Sequence, residues 1–255
     1  MSESKTAPKT AILVGPTGGL GSHLSRRLAA DGWKLALIAR NEDKLKNLVN
    51  DLDGVEHTGV ADATDAKAFK KAIDDAAEAL QSVGAYIHLP GNILLKGAHM
   101  IKDEEWAETI NVNLTSAFYG LRAMAGRMQK QGFGSMTFVS TVAAVTGLPA
   151  HEAIAAAKGG INAMVRSAAA TYASRGVRIN ALAPGMTETP LAEPILKSDQ
   201  GRKVSEAMHP LGRVGTADEM ASAIQFLADP ANGWITGQVL SVDGGLSTVH
   251  MRPKI

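Results

Sequence analysis

Apolar residues arrive along this chain in short unbroken runs, near 11–15, 34–39, 84–89, 134–140, 177–182 and 238–242, with a weaker one near 55–60. Continuous rather than alternating runs suit strands buried on both faces. Between them, helical spacing recurs near 19–31, 41–52, 64–82, 103–130, 152–174 and 216–228. This alternation predicts one α/β domain with a doubly wound parallel sheet of about seven strands, covered by helices on both sides. Crossovers should be right-handed. The stretch 185–212, with Pro190, Pro194 and Pro210, lacks clear periodicity. A long irregular segment after a strand's C-terminal end predicts a lid, or else a mobile surface loop. The polar first nine residues predict a mobile tail, with the domain over 10–255.

Composition narrows the function classes. A chain of 255 residues, 45% hydrophobic and 20% charged, fits one domain with a large core. A formal net charge of +1 with no long basic run argues against nucleic acid as the partner. No apolar run reaches transmembrane length, and the first residues lack the apolar core of a signal peptide. With no cysteine there is no disulfide, thiol nucleophile or thiolate metal site. The acidic residues and histidines lack ligand spacing, so no metal is expected. A cytoplasmic protein acting on a small molecule is the expectation.

Candidate chemistry starts where strand 11–14 runs into Gly15-Pro16-Thr17-Gly18-Gly19-Leu20-Gly21 and then a helix. A glycine-rich turn there lets backbone N–H groups approach a pyrophosphate, as in Rossmann-type folds. Gly15 would make the tight turn, Gly19 the close approach, and Gly21 the helix–strand contact; a purely structural turn is the alternative. The second strand ends in Ala39-Arg40, where an acidic residue would bind the ribose diol of NAD. Arginine pairs instead with a 2′-phosphate, so NADP(H) is preferred over NAD(H); a solvated surface charge is the other reading of Arg40. Asp62, before Ala63, either meets an adenine edge or caps a turn.

These residues resemble the short-chain dehydrogenase/reductase family, nearest to its β-ketoacyl-carrier-protein reductases, over about residues 10–248. Further matches are ADAT at 61–64, Trp106 through Asn113-Leu114, Ala157-Lys158, Asn180, Ala183-Pro184-Gly185, Pro210 through Arg213, Thr236-Gly237-Gln238 and Val242 through Gly245. The resemblance implies an NADP(H)-dependent oxidoreductase acting on a carbonyl or alcohol. It places Gly15, Thr17, Gly18, Gly19, Leu20, Gly21, Arg40, Asp62, Ala63, Gly91, Lys158, Pro184, Gly185, Thr187 and Thr189 at the cofactor. It implies Asn113, Thr141 (at the family's serine position) and Lys158 as catalytic residues. Small residues on the two long helices (Ala123, Ala125, Gly126; Ala168, Ala169, Ala170) either pack on the chain's own sheet or serve the homotetramer, or dimer, that the family leads one to expect.

The family's catalytic tyrosine falls on Ile154, four residues before Lys158 and on the same helix face. Isoleucine cannot move a proton. A phenolic acid of this kind contributes roughly 10²–10⁴ in rate. Tyr86, Tyr119 and Tyr172 stand elsewhere and are expected to pack. His151 shares a stripe with Ile154 and Lys158 and is the candidate substitute, or a polar residue at the pocket rim; His88 is a weaker one. His88-Leu89-Pro90-Gly91 also departs from the family's Asn-Asn-Ala-Gly, which loses an amide tying neighbouring strands and one backbone donor. Three functions follow: an oxidoreductase with an altered proton donor, a cofactor-binding protein without catalysis (sensor, scaffold or subunit), or a His151-based isomerase or dehydratase.

Overall fold

The computed structural model describes residues 7–250 and Arg252. Six strands come first: β1 (Thr10–Val14), β2 (Lys34–Ala39), β3 (Val55–Val60), β4 (Ala85–His88), β5 (Gly134–Val139) and β6 (Val177–Pro184). The short β7 (Thr187–Glu188) and β8 (Gly215–Thr216) pair with each other, and β9 (Val239–Val242) joins the main sheet. That sheet has seven parallel strands in the order β3-β2-β1-β4-β5-β6-β9. The helices are α1 (Gly19–Ala30), α2 (Glu42–Val49), α3 (Ala66–Leu80), α4 (Asp103–Ile110), α5 (Ser116–Gln131), α6 (Glu152–Tyr172), α7 (Glu193–Leu196), α8 (Asp199–Met208) and α9 (Ala217–Ala228). The fold class is the one the hydrophobic pattern predicts.

Successive side chains of a strand point to opposite faces, so each buried strand feeds two cores. Ile12, Ile38, Tyr86, Phe138 and Ile179 pack on one face with residues of α3, α5 and α6. Leu13, Leu37, Ile87 and Leu182 pack on the other with Leu24 of α1 and Ile224 of α9. β1 and β4 are buried at every position, whereas β3 alternates between half-buried and exposed. An edge strand covered on one face needs apolar residues only at every second place, which is why its signal in the sequence is weak.

Local chemistry sets the helix ends. Asn41 Oδ1 accepts from Lys44 N–H ahead of α2, and Asp65 Oδ1 from Lys67 and Ala68 ahead of α3. Thr216 and Glu219 exchange reciprocal bonds at the start of α9. The helix predicted over 103–130 is divided: Asn111–Thr115 form a π-helical turn between α4 and α5, in which Ser116 N–H reaches back to Asn111 O. The segment 185–212 holds β7, α7 and α8. Its helices are short, and α8 buries only Ser205, so no apolar stripe announces them. The tail expected over 1–9 is shorter on its inner side. Lys9 O accepts from Lys34 N–H, and its ammonium pairs with Asp31 at 3.0 Å. Residues 1–6 lie outside the described residues. Among the described residues no helix is long and apolar enough to cross a membrane.

A polar chain runs through the core beside β4. Ser116 Oγ donates to Val112 O at 2.6 Å, so the 3.0 Å contact from His88 Nε2 must be a donation to Ser116 Oγ. Nδ1 then accepts from the Tyr86 hydroxyl, also at 3.0 Å. Burial, with a smaller contribution from the Lys158 charge, pushes His88 down to about 3 and keeps it neutral. Replacing His88 with Leu strands the Tyr86 hydroxyl in an apolar core, at a cost of about 1–3 kcal/mol at pH 7. The wild-type histidine takes up a proton near pH 6.5 only when unfolded, so its stability is lost as pH falls from there toward about 3. Urea unfolding should show His88→Leu less stable at pH 7, with the gap narrowing at pH 5; a gap that widens in acid contradicts the neutral assignment.

Candidate functional site

The strand order reverses between β1 and β4, and the chain leaves their C-terminal ends in opposite directions. A crevice at such a point is the standard ligand site of an open parallel sheet. Gly15 turns the chain there at φ +82°, with its N–H on Ile38 O at 2.9 Å. A Cβ on Gly21 would lie 2.2 Å from Gly15 O, so only glycine lets α1 start this close to its strand. Gly18 caps α1 without a side-chain bond, and the first turn has no acidic residue. The leading N–H groups of α1 are therefore open to an anion. Gly19 faces the segment after β6: a Cβ on it would stand 2.6 Å from Pro190 Cδ and 3.0 Å from Thr189 Cβ. The loop has the features that a dinucleotide's pyrophosphate requires.

Arg40 stands just past β2, exposed, 3.8 Å from Asp62 Oδ2. Burial pushes the Asp62 carboxyl up, but bonds from Thr64 and the Arg40 charge outweigh this and hold it below its usual range. Asp62 Oδ1 accepts from Thr64 N–H and Oγ–H, so its turn-capping role is real. Its other oxygen faces Arg40. Ala63 is buried beneath the turn.

Lys158 and Ile154 sit one helical turn apart on α6, both buried. Lys158 Nζ donates to Val139 O at 2.8 Å, at the C-terminal end of β5. Burial pushes its ammonium down to about 7. Ser140, next along, is buried and turns its hydroxyl to Lys158 O at 3.3 Å, away from the candidate substrate side. Thr141 is half-buried, and its Oγ1 accepts from Ala143 N–H at 3.3 Å, which leaves the hydroxyl proton free to donate. Gly91 closes the group: a Cβ on it would lie 2.9 Å from Asn113 Oδ1 and 3.4 Å from Lys158 Nζ. Asn113, Lys158 and Gly91 thus meet at one place, as the sequence predicts.

Asn113 lies in the π-helical turn, and its Nδ2 donates to Thr109 O at 3.0 Å and to Asn92 Oδ1. Its Oδ1 accepts from Asn92 N–H at 3.2 Å. These bonds give the amide a structural role in joining the π-helical turn to the segment after β4. His151 precedes α6 and follows Ala150, which adopts φ +62° in the left-handed region. The ring donates from Nδ1 to Pro149 O at 2.7 Å, so a neutral His151 presents a lone pair at Nε2, not a proton. His88 has both ring nitrogens engaged within the core and offers no proton to a ligand. In place of the missing strand-tying amide, it ties β4 to the start of α5. Tyr86 bonds His88, Tyr119 stacks under the Arg122 guanidinium at 4.9 Å, and Tyr172 packs on the core, as expected of packing residues.

The segment after β6 is fastened at its far end. His209 is buried, accepts from Met186 N–H at Nε2 and donates from Nδ1 to Ser205 O. Gly185 gives it room, since a Cβ there would lie 2.7 Å from His209 Nε2. Pro184 ends β6, Thr187 Oγ1 donates to Gly185 O, and Thr189 lies against Gly19. Asn92 and His209 were not singled out from the sequence. Asn92 had a signal, a polar residue directly after a strand end and Gly91. His209 had none, because its partners are backbone groups.

The comparisons with known proteins agree with this architecture. Residues 15–247 match the family model described as enoyl-(acyl carrier protein) reductase. A tropinone reductase homolog of Arabidopsis thaliana is 34% identical over 94% of this chain and 93% of its own. A 3-oxoacyl-[acyl-carrier-protein] reductase, FabG, of Thermotoga maritima is 30% identical over 93% and 97%. The solved structure of gox2181 superposes with a TM-score of 0.90 at 27% identity, covering 95% of this chain and 97% of that one. The chain belongs to the short-chain dehydrogenase/reductase family of oxidoreductases.

Proposed function

We propose that this protein is an NADP(H)-dependent oxidoreductase of a small-molecule carbonyl or alcohol, in which Ile154 stands where relatives carry the catalytic phenol. One observation carries the reading: a buried Lys158 converges with Asn113 and Gly91 beside the open N-terminus of α1 and its glycine loop. When bound, the reduced cofactor supplies hydride. Gly15, Thr17, Gly18, Gly19, Leu20 and Gly21 would hold its pyrophosphate through backbone N–H groups. Arg40 would take the 2′-phosphate, and Asp62 with Ala63 the adenine. Lys158 would bind the ribose hydroxyls, while Gly91, Pro184, Gly185, Thr187 and Thr189 would complete the cofactor's surroundings. Thr141 would donate its free hydroxyl to the substrate oxygen. Segment 185–212 would act as the lid.

A second reading, cofactor binding without turnover, is favoured by the apolar Ile154 itself. Self-association also belongs to this proposal. Trp106 and Phe118 on α4 and α5, and Phe226 and Trp234 around the end of α9, are exposed and suit a second copy of the chain. Ala125, Ala168 and Ala169, by contrast, pack in this chain's own core, and only Gly126 and Ala170 of the small residues are exposed.

Two measurements test the proposal. Ile154→Tyr should raise kcat/KM for carbonyl reduction by up to about 100-fold, the low end of what a general acid supplies; no gain with NADPH binding intact supports the non-catalytic reading. Arg40→Asp should weaken NADPH binding tenfold or more while changing NADH little, as read by fluorescence titration. Equal effects on both cofactors remove the 2′-phosphate role from Arg40.

A further inference from the structure

We propose that Lys158 is itself the general acid of this site, giving its ammonium proton to the substrate oxygen, a step that rests on the oxidoreductase reading above. The geometry singles out this group. Ile154, one turn away on the same face, has no polar atom and so supplies no proton of its own beside Lys158. Val139 O is the one acceptor for Nζ among the described residues, so two further N–H bonds are available to a ligand. Gly91 keeps the space beside Nζ clear of side chain. Thr141 can donate a second hydrogen bond to the same oxygen, because its own Oγ1 already accepts from Ala143.

Alternative donors fall short. His88 is neutral with both nitrogens engaged, and His151 already commits its Nδ1 to Pro149 O. No carboxylate among the described residues neutralises Lys158. β5 has no charged residue, and Arg178 of β6 is spread over the carbonyls of residues 227, 228, 229 and 235. On α4, Asp103, Glu104 and Glu108 face solvent and Glu105 pairs with Lys96. α5 contributes only the cations Arg122, Arg127 and Lys130, and α6 the exposed Glu152 and Arg166 with exposed Arg175 beyond its end. An unpaired buried cation holds its proton weakly, which agrees with an ammonium shifted down to about 7. The same isolated charge defines the substrate. It attracts an oxygen that becomes negative during reduction, as in a ketone or aldehyde, and repels an electrophile that is already cationic, such as an iminium.

The step balances. As hydride adds to the carbonyl carbon, the C=O π pair moves onto oxygen. One N–H bond of the Lys158 ammonium breaks and an O–H bond forms, leaving an alcohol and a neutral amine that regains its proton from water. A donor that titrates near the working pH is both protonated often enough and acidic enough to serve as a general acid.

The test combines three readouts. In protein carrying ¹³C-labelled lysine, with and without NADPH, one Cε resonance should titrate near pH 7. For reduction of an aldehyde and ketone panel, kcat/KM should fall above that same pH. Lys158→Arg, which keeps the charge but cannot release a proton, should lose the resonance titrating near pH 7 and, at saturating NADPH, reduce carbonyls at least 100-fold more slowly. All lysines titrating above pH 10, reduction undiminished at pH 9, or turnover retained in Lys158→Arg each overturns the assignment. So does a collapse of turnover in His151→Ala while Lys158→Arg is unharmed. A wild-type protein that fails to bind NADPH, or binds it and reduces nothing on the panel, overturns the oxidoreductase reading and this step with it.

Discussion

A parallel strand covered on both faces admits few polar side chains along its length, each needing a partner inside the core, and this constraint places much of the rest. The apolar runs of β1, β4 and β5 fill two cores, so chemistry is pushed to where the strands stop. Gly15 follows β1, Gly91 follows β4, Ser140 and Thr141 follow β5, and Gly185 follows β6. Because all seven strands run the same way, these ends lie along one edge of the sheet. The reversal of strand order then opens that edge at a single crevice.

Within the crevice the strongest influence is an uncompensated positive charge. Removing a lysine from water is costly, and here one backbone carbonyl receives it. Such a group either gives up its proton or finds negative charge in a ligand. Both outcomes suit the cofactor and substrate proposed for this site. Ile154, one turn away, offers that charge no polar partner.

Much of this was legible in the sequence, for identifiable reasons. Strands and helices showed because burial on two faces or one stripe writes a periodic pattern. The glycine loop, Asn113, Lys158 and Gly91 showed because backbone approach and charge admit few residue types. The π-helical turn at Asn111–Thr115 did not show, since adding one residue to a helical turn leaves the apolar spacing nearly unchanged. α7 and α8 were hidden by their shortness, and the anchoring of Lys9 rests on pairing across 22 residues. The tautomers of His88 and His151 depend on which neighbours already donate, and that is settled only once the chain has folded.

The Tyr86–His88–Ser116 chain has a consequence for how such a protein can change over time. Gly120 completes the set, because a Cβ on it would come within 1.9 Å of the Tyr86 hydroxyl. An asparagine at position 88 would replace a ring that spans two partners by a shorter amide that cannot touch both. The hydroxyl, the ring, the serine and the glycine therefore form one coupled unit, in which a change at any member alters what the others can contribute.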